Sequence, residues 1–254
     1  MLIDSHCHLD APEFDADRDA VVERSRLAGV KRWVVPAVTA ATFATTKAML
    51  RYTGVAPAYG LHPIYVAEHR DEHLVQLAQW LQAEQPVAVG EIGLDFFVEG
   101  LDAVRQVQMF EAQLKLARDF DLPVIVHIRR SQDQVLKYLR KWKVRGGIAH
   151  AFNGSGQQAD EFIKLGFKLG FGGAMTYSGS QRIRKLAAEL PLEAIVLETD
   201  SPDIPPSWLD RGRNEPLHMS ACAQVLADLR GDTVENIASV TVANTLAVLP
   251  RLAG

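Results

Sequence analysis

The sequence predicts an α/β fold, a single-domain (β/α)8 TIM barrel over residues 1–254 with an extra C-terminal helix. Three observations predict it. Eight short apolar runs are spread along the chain, and segments with helical spacing separate them. No G-x-G-x-x-G or Walker phosphate loop follows the first run. A doubly wound open sheet is the alternative. It usually has fewer strands and often a glycine-rich loop where this chain has His-x-His.

The first strand is expected at Leu2–Ser5, with a helix around Ala16–Ala28. The second strand, Arg32–Val38, leads to a helix around Thr42–Tyr52. The third, Val55–Leu61, leads to a helix at His73–Glu84, and the fourth is Val87–Ile92. The clearest helix runs from Leu101 to Phe120, where Val104, Val107, Phe110, Leu114 and Ala117 recur every three or four residues. Pro123 ends that pattern and begins strand five, Pro123–Ile128, which a helix at Gln132–Lys141 follows. Strand six, Gly147–Phe152, precedes a helix at Gln157–Leu165; strand seven, Phe167–Phe171, precedes one at Gln181–Leu190. Strand eight is Ala194–Thr199. Two helices close the chain, Pro216–Leu229 and Thr233–Leu249, with Gly231-Asp232 as the break.

A chain of 254 residues that is 48% hydrophobic can bury a full core. Its formal net charge of −4 argues against broad attachment to a nucleic-acid backbone or an anionic membrane. A local set of cations can still engage a phosphate. Cys7 and Cys222 show no framework spacing, so a reduced, cytoplasmic protein is expected. Asp4 and two histidines occupy the place of a signal peptide's apolar core, and no run approaches the roughly 18 apolar residues of a membrane span. No obligate protein partner is implied.

Barrel sites lie at the C-terminal ends of the strands. His6 and His8 follow strand one on one face of an extended segment, about 6–7 Å apart by the rise per residue. Glu91 ends strand four, His127 and Arg129 end strand five, His150 ends strand six, and Glu198, Thr199 and Asp200 end strand eight. His62 lies in Gly-Leu-His-Pro after strand three. Carboxylates gathered in one mouth repel, and a divalent cation removes that cost. His6, His8, Glu91, His127, His150 and Asp200 offer more ligands than one tetrahedral ion needs. Strand order suggests two ions, one on His6, His8 and Asp200, the other on His127 and His150, with Glu91 between them. Zinc, magnesium and manganese all suit this mixed shell.

Around these ligands, His62, Arg129, Arg213 and Asn214 are candidates for substrate contact, and Arg211 shares their loop. Arg129 either grips a phosphate oxygen or pairs with Asp95 or Glu198. Arg211 and Arg213 either bind substrate or form surface ion pairs. His62 either touches substrate or shapes its own turn. Asp4 and Glu198 are expected to support ligating histidines rather than bind metal. The parity of Cys7 points it toward the helix layer, away from the two histidines. His69, His73 and His218 are expected to be solvated.

His6-x-His8, Gly-Glu91-Ile-Gly-Leu-Asp95, His127-x-Arg129, His150-x-Phe152, Glu198-Thr-Asp200-Ser-Pro202 and Arg213-Asn214-x-Pro216 occur in this order. Together they resemble the TatD family of metal-dependent hydrolases, in particular its YjjV-like branch, over the whole chain. The resemblance implies a metal-dependent barrel of the amidohydrolase superfamily, with deoxyribonuclease activity in some members. It implies the same six metal ligands. Two stretches depart from the pattern of many relatives. Arg130-Ser131 stands where an acidic residue follows His-x-Arg, and Ala151-Phe152-Asn153-Gly154 replaces Cys-Phe-Ser-Gly.

The expected chemistry is hydrolysis of a phosphodiester of DNA ends or short nucleotides. Asp200 and Glu91 are the catalytic carboxylates, and Asp200 orients the water and takes its proton. A small phosphoester, amide or lactone is the alternative substrate. A metal-binding protein without turnover is the third reading.

Overall fold

The computed structural model describes residues 1–253. Parallel strands β1 (Leu2–Asp4), β2 (Val30–Pro36) and β3 (Val55–Ala58) pair in chain order. A second run pairs β4 (Val89–Asp95), β5 (Val124–Arg129), β6 (Gly147–Ala149), β7 (Phe167–Phe171) and β8 (Ile195–Leu197), again in order and parallel. A bridge between Tyr59 and Val89 joins the two runs on one side. On the other, Ser5 N–H donates to the Leu197 carbonyl at 3.0 Å. The sheet therefore closes on itself as the (β/α)8 barrel that the alternation of elements predicts.

The strands read as apolar runs because both their faces are buried. Ile3, Val34, Ala56, Ile125, Ile148 and Val196 fill the barrel interior. Their neighbours Val35, Val124, Val126, Leu169, Ile195 and Leu197 face outward and pack in the larger cluster shared with the helices. Those helices are α1 (Arg18–Leu27), α2 (Phe43–Ala48), α3 (Asp71–Glu84), α4 (Ala103–Asp119), α5 (Gln132–Trp142), α6 (Gly156–Lys164), α7 (Gln181–Glu189) and α8 (Met219–Arg230). The extra helix expected at the C-terminus is α9 (Val234–Val248). It delivers Leu249 and Leu252 into the interior cluster, and Arg251 donates to the Pro86 carbonyl at 3.1 Å, just before β4. The tail thus plugs the end of the barrel opposite the mouth.

Several element boundaries differ from the sequence reading: strand two is shifted to Val30–Pro36, strand six ends at Ala149 and strand eight spans Ile195–Leu197. Strand three stops at Ala58, not Leu61, because the chain at Gly60 presses against β4: a Cβ there would lie 2.7 Å from the Gly90 carbonyl carbon. Strand four runs on past Ile92, since Leu94 and Asp95 pair with Ile128 and Arg129. The expected helix over Thr42–Tyr52 is the short α2 between two 3-10 turns, the first of which is closed at its entry by Thr42 Oγ1 accepting from Thr39 N–H at 3.2 Å.

Candidate metal centre

A cavity of about 1410 Å³ opens over the C-terminal ends of the strands. His8, His62, Glu91, His127, His150 and Asp200 all line it, so residues far apart in sequence meet where the fold predicts a site. Glu91 lies in a stretch of β4 whose register shifts between Val89 and Ile92, and its side chain is the hub. Glu91 Oε2 lies 3.0 Å from His6 Nε2 and 3.6 Å from His8 Nε2. Glu91 Oε1 lies 3.1 Å from both His62 Nε2 and His127 Nδ1. One carboxylate therefore faces two histidine pairs.

Asp200 closes the other side. Its Oδ1 lies 3.4 Å from His6 Nε2, 3.6 Å from His8 Nε2 and 3.3 Å from His150 Nε2. The residue holds a left-handed backbone, φ 56°, which an L side chain rarely adopts. Its N–H donates to the His6 carbonyl at 2.9 Å and fixes strand eight's end to strand one's. The His150 ring stacks on His6 with centroids 3.6 Å apart.

The electrostatics divide the histidines of the centre into two kinds. Burial holds the His6 imidazole below its ordinary value and pushes His62 down to about 4, so both are neutral near pH 7. Burial alone would raise Glu91, yet His62, His6 and His127 outweigh it and hold the carboxyl well below its ordinary range. Asp200 is lowered in the same way, burial being overcome chiefly by His150. His127 and His150 are raised against burial, His127 by hydrogen bonds that its ring donates to Asp95 and Glu91 and His150 by the charges of Glu198 and Asp200.

The donor set fits a divalent cation. His6 Nε2 has Glu91 Oε2, Asp200 Oδ1 and His8 Nε2, the last at 3.3 Å, all around it. One ring N–H can satisfy one of these, and the remaining lone pairs face each other. Groups of donor atoms within 4.8 Å of one another are His6–His8–Asp200, His6–Glu91–His150 and His62–Glu91–His127. Among the described residues, no such triad contains both His127 and His150, so the pairing suggested by strand order is not the one these distances favour.

Behind this layer, buried groups hold the donors in place. Asp95 Oδ2 lies 2.9 Å from His127 Nε2, while Gln106 bonds the Asp95 backbone through both ends of its amide. Glu198 Oε1 lies 3.0 Å from His150 Nδ1, the supporting position expected of it. Asp4 accepts from the backbone N–H of His6 and Thr199 and from the Thr199 hydroxyl; it anchors strand ends rather than an imidazole. Cys7 is buried in the outer cluster, away from the histidines, as its parity predicts.

Several sequence expectations need correction. Of the two roles open to Arg213, substrate contact and a surface ion pair, the structure takes the second: it does not reach the cavity but donates to Asp17, Glu215 and the Glu13 carbonyl. Asn214 is buried and donates to the Thr199, Asp203 and Ile204 carbonyls, holding the loop after β8 in shape instead of meeting substrate. Arg129 makes neither expected ion pair; it lies over the Phe97 ring at 3.8 Å and lines the cavity. His62 lines the cavity, and its Nδ1 accepts from Ile64 N–H, the turn-shaping role of its two alternatives. His69 is buried, not solvated, and its Nε2 bonds the His62 carbonyl at 2.8 Å. Sequence reasoning named Asp95 only as a partner for Arg129. Its spacing four residues after Glu91 was the available signal, since a seven-residue β4 carries both toward the mouth.

A family model described as TatD related DNase matches residues 3–250. The chain belongs to the TatD family. Among its relatives is the Escherichia coli metal-dependent hydrolase YjjV, 41% identical over 247 residues that cover 96% of this chain and 95% of YjjV. Human deoxyribonuclease TATDN3 is 34% identical over 266 residues, covering 99% of this chain and 95% of its own. The crystal structure of the E. coli YjjV TatD homologue superposes with a TM-score of 0.95 at 40% identity, over 98% of both chains. A mutant organophosphorus hydrolase from Deinococcus radiodurans shares the fold at a TM-score of 0.66 and 18% identity, covering 98% of this chain and 92% of that one. As a TatD-family member the chain is a metal-dependent hydrolase. No helix among the described residues is long and apolar enough to cross a membrane.

Proposed function

We propose that this TatD-family hydrolase cleaves phosphodiester bonds of DNA, using two divalent cations held by His6, His8, Glu91, His127, His150 and Asp200. The observation that carries the reading is the Glu91 carboxylate, whose Oε2 faces His6 and His8 at 3.0 and 3.6 Å while its Oε1 faces His62 and His127 at 3.1 Å, so that one carboxylate serves two clusters of donors. Divalent ions bound there supply Lewis-acid polarisation of the phosphoryl oxygens and acidify water.

The chain's own residues do the rest. Asp200, ionised and at the rim of the cavity, orients the attacking water and takes its proton. His150, 3.3 Å away, fixes the carboxylate that does so. His6 stays neutral, so a ring lone pair remains available at working pH, while neutral His62, whose Nδ1 accepts from Ile64 N–H, donates from Nε2 to Glu91 and holds that carboxylate. Arg129, beside this centre, presents a guanidinium whose fork matches phosphate oxygens. The leaving oxygen departs opposite the water in an in-line displacement.

The test is cleavage of labelled single-stranded DNA by the metal-stripped chain titrated with magnesium, manganese and zinc, beside Asp200→Asn. Metal-dependent cleavage that the variant loses is the expected result. No cleavage with any metal, while two ions still bind, discards the DNA substrate and turns the search to small esters and amides.

A further inference from the structure

Resting on the phosphodiester reading, we infer that Arg130, Arg182 and Asn153 form a second phosphate subsite, which takes a phosphate of the same strand beyond the one being cleaved. The cavity is far larger than one phosphoryl group needs, and its walls differ in charge. Arg129, Arg130 and Arg182 line one side, carried by the segments after β5 and β7. Asp10, Glu13, Glu68 and Asp203 line the rest of the mouth. A polyanion is repelled from the acidic wall and drawn to the basic one.

The arginines of the basic wall are unneutralised. Arg105 is matched with Asp71 and Arg140 with Glu161, and Arg184, Arg230 and Arg251 spend their guanidinium groups on backbone carbonyls. Among the described residues, no carboxylate oxygen lies within 4.0 Å of the guanidinium nitrogens of Arg130 or Arg182. Arg182 is instead aimed by a neutral group: Asn153 Oδ1 accepts from its Nε at 3.0 Å and from Nη2 at 2.7 Å. Its Nη1 edge is left for a ligand. Arg130 sits at a left-handed φ of 54°, and its guanidinium lies 4.6 Å from the centroid of the Phe97 ring that also carries Arg129. Two like charges beside one ring, with a third on the same wall, form a preorganised anion cradle whose repulsion an incoming phosphate relieves.

The cradle joins the metal centre through short links. Arg130 is three residues after His127, and Asn153 three after His150. A strand with its scissile phosphate at Glu91 and Asp200 therefore brings a neighbouring phosphate onto this wall.

The test is fluorescence anisotropy of a labelled, phosphorothioate-linked thymidine tetranucleotide, with the full chain as purified, over a range of NaCl concentrations. Each phosphate contact on a single strand contributes about 0.7 to the slope of log K against log[salt]. Arg130→Gln and Arg182→Gln are each expected to lower that slope by about 0.7 and to weaken binding about threefold to tenfold. Arg130→Lys keeps the slope. Arg145→Gln, the same charge change at the opposite end of the barrel, also keeps it. Unchanged slopes in both glutamine variants, or an equal fall in Arg145→Gln, overturn the subsite. Cleavage of bis(4-nitrophenyl) phosphate, which has no second phosphate, tests the hydrolase reading separately, so the two failures are distinguishable.

Discussion

Glu198 Oε1 lies 3.0 Å from His150 Nδ1 and accepts the Ala151 N–H at 2.6 Å. One buried carboxylate thus fixes both a ring and the backbone that carries it. The sheet makes room for it: a Cβ at Gly170 would sit 2.1 Å from Glu198 Oε2. A carboxylate behind a metal-binding histidine raises its basicity and sets its tautomer. Glu198→Gln keeps the size and removes the charge. It is expected to lower metal affinity about tenfold to 100-fold, read by competition with a chelating dye, while far-UV circular dichroism stays that of the native chain. Unchanged affinity refutes the supporting role.

Gly93 sits at φ 147°, and a Cβ there would lie 2.1 Å from the His127 carbonyl oxygen. Strands β4 and β5 approach too closely for any side chain at that point, and the Asp95–His127 contact depends on the approach. Gly93→Ala is expected to cost about 2–4 kcal/mol in urea unfolding. Gly179→Ala, with nothing within 4 Å of the added carbon, is expected to stay within about 0.5 kcal/mol. Equal midpoints for the two variants would contradict the close approach.

The barrel was legible because burying both faces of each strand writes an apolar run into the sequence, and the mouth because strand ends can be read by position. His6, His8, Glu91, His127, His150 and Asp200 meet for that reason. What escaped was set by contacts without a local pattern. The sequence leaves Arg213 between substrate and a surface ion pair, because whether it turns in or out is decided by Asp17, nearly two hundred residues earlier in the chain. Asn214 looks polar and available in sequence; three carbonyls of its own loop consume it. His62 belongs with Glu91 and His127 because β3 ends early and Gly60 presses on β4, a packing fact no spacing encodes.

The Arg213 network carries a pH prediction. Hydrogen bonds from Arg213 and then Arg24 hold the Asp17 carboxyl well below its ordinary value of 3.8. A carboxyl lowered in the folded state contributes stability that is complete above the unfolded value and is lost as pH falls through the folded one. Removing Arg213 removes much of that contribution. Arg213→Ala is expected to melt a few degrees below wild type at pH 6, with the gap closing below about pH 4. KM for an oligonucleotide is expected to stay within twofold, since the side chain is spent on Asp17 and Glu215. A large rise in KM would return Arg213 to the substrate.

Cys7 stands between His6 and His8, yet its N–H donates to the Val34 carbonyl and its side chain packs with the outer cluster. Burial pushes its thiol well above the ordinary range, and pushes Cys222 up to about 12. A buried thiol in apolar surroundings does not supply thiolate for alkylation or metal binding. Native protein at pH 8 is therefore expected to resist a thiol reagent at both cysteines, with or without chelator, and to react at both once unfolded. Cys7→Ala is expected to bind as many metal ions as wild type, counted by elemental analysis after gel filtration. Loss of an ion in that variant, or thiol reactivity that appears only when metal is stripped, would make Cys7 a ligand and reverse the assignment of the strand's two faces.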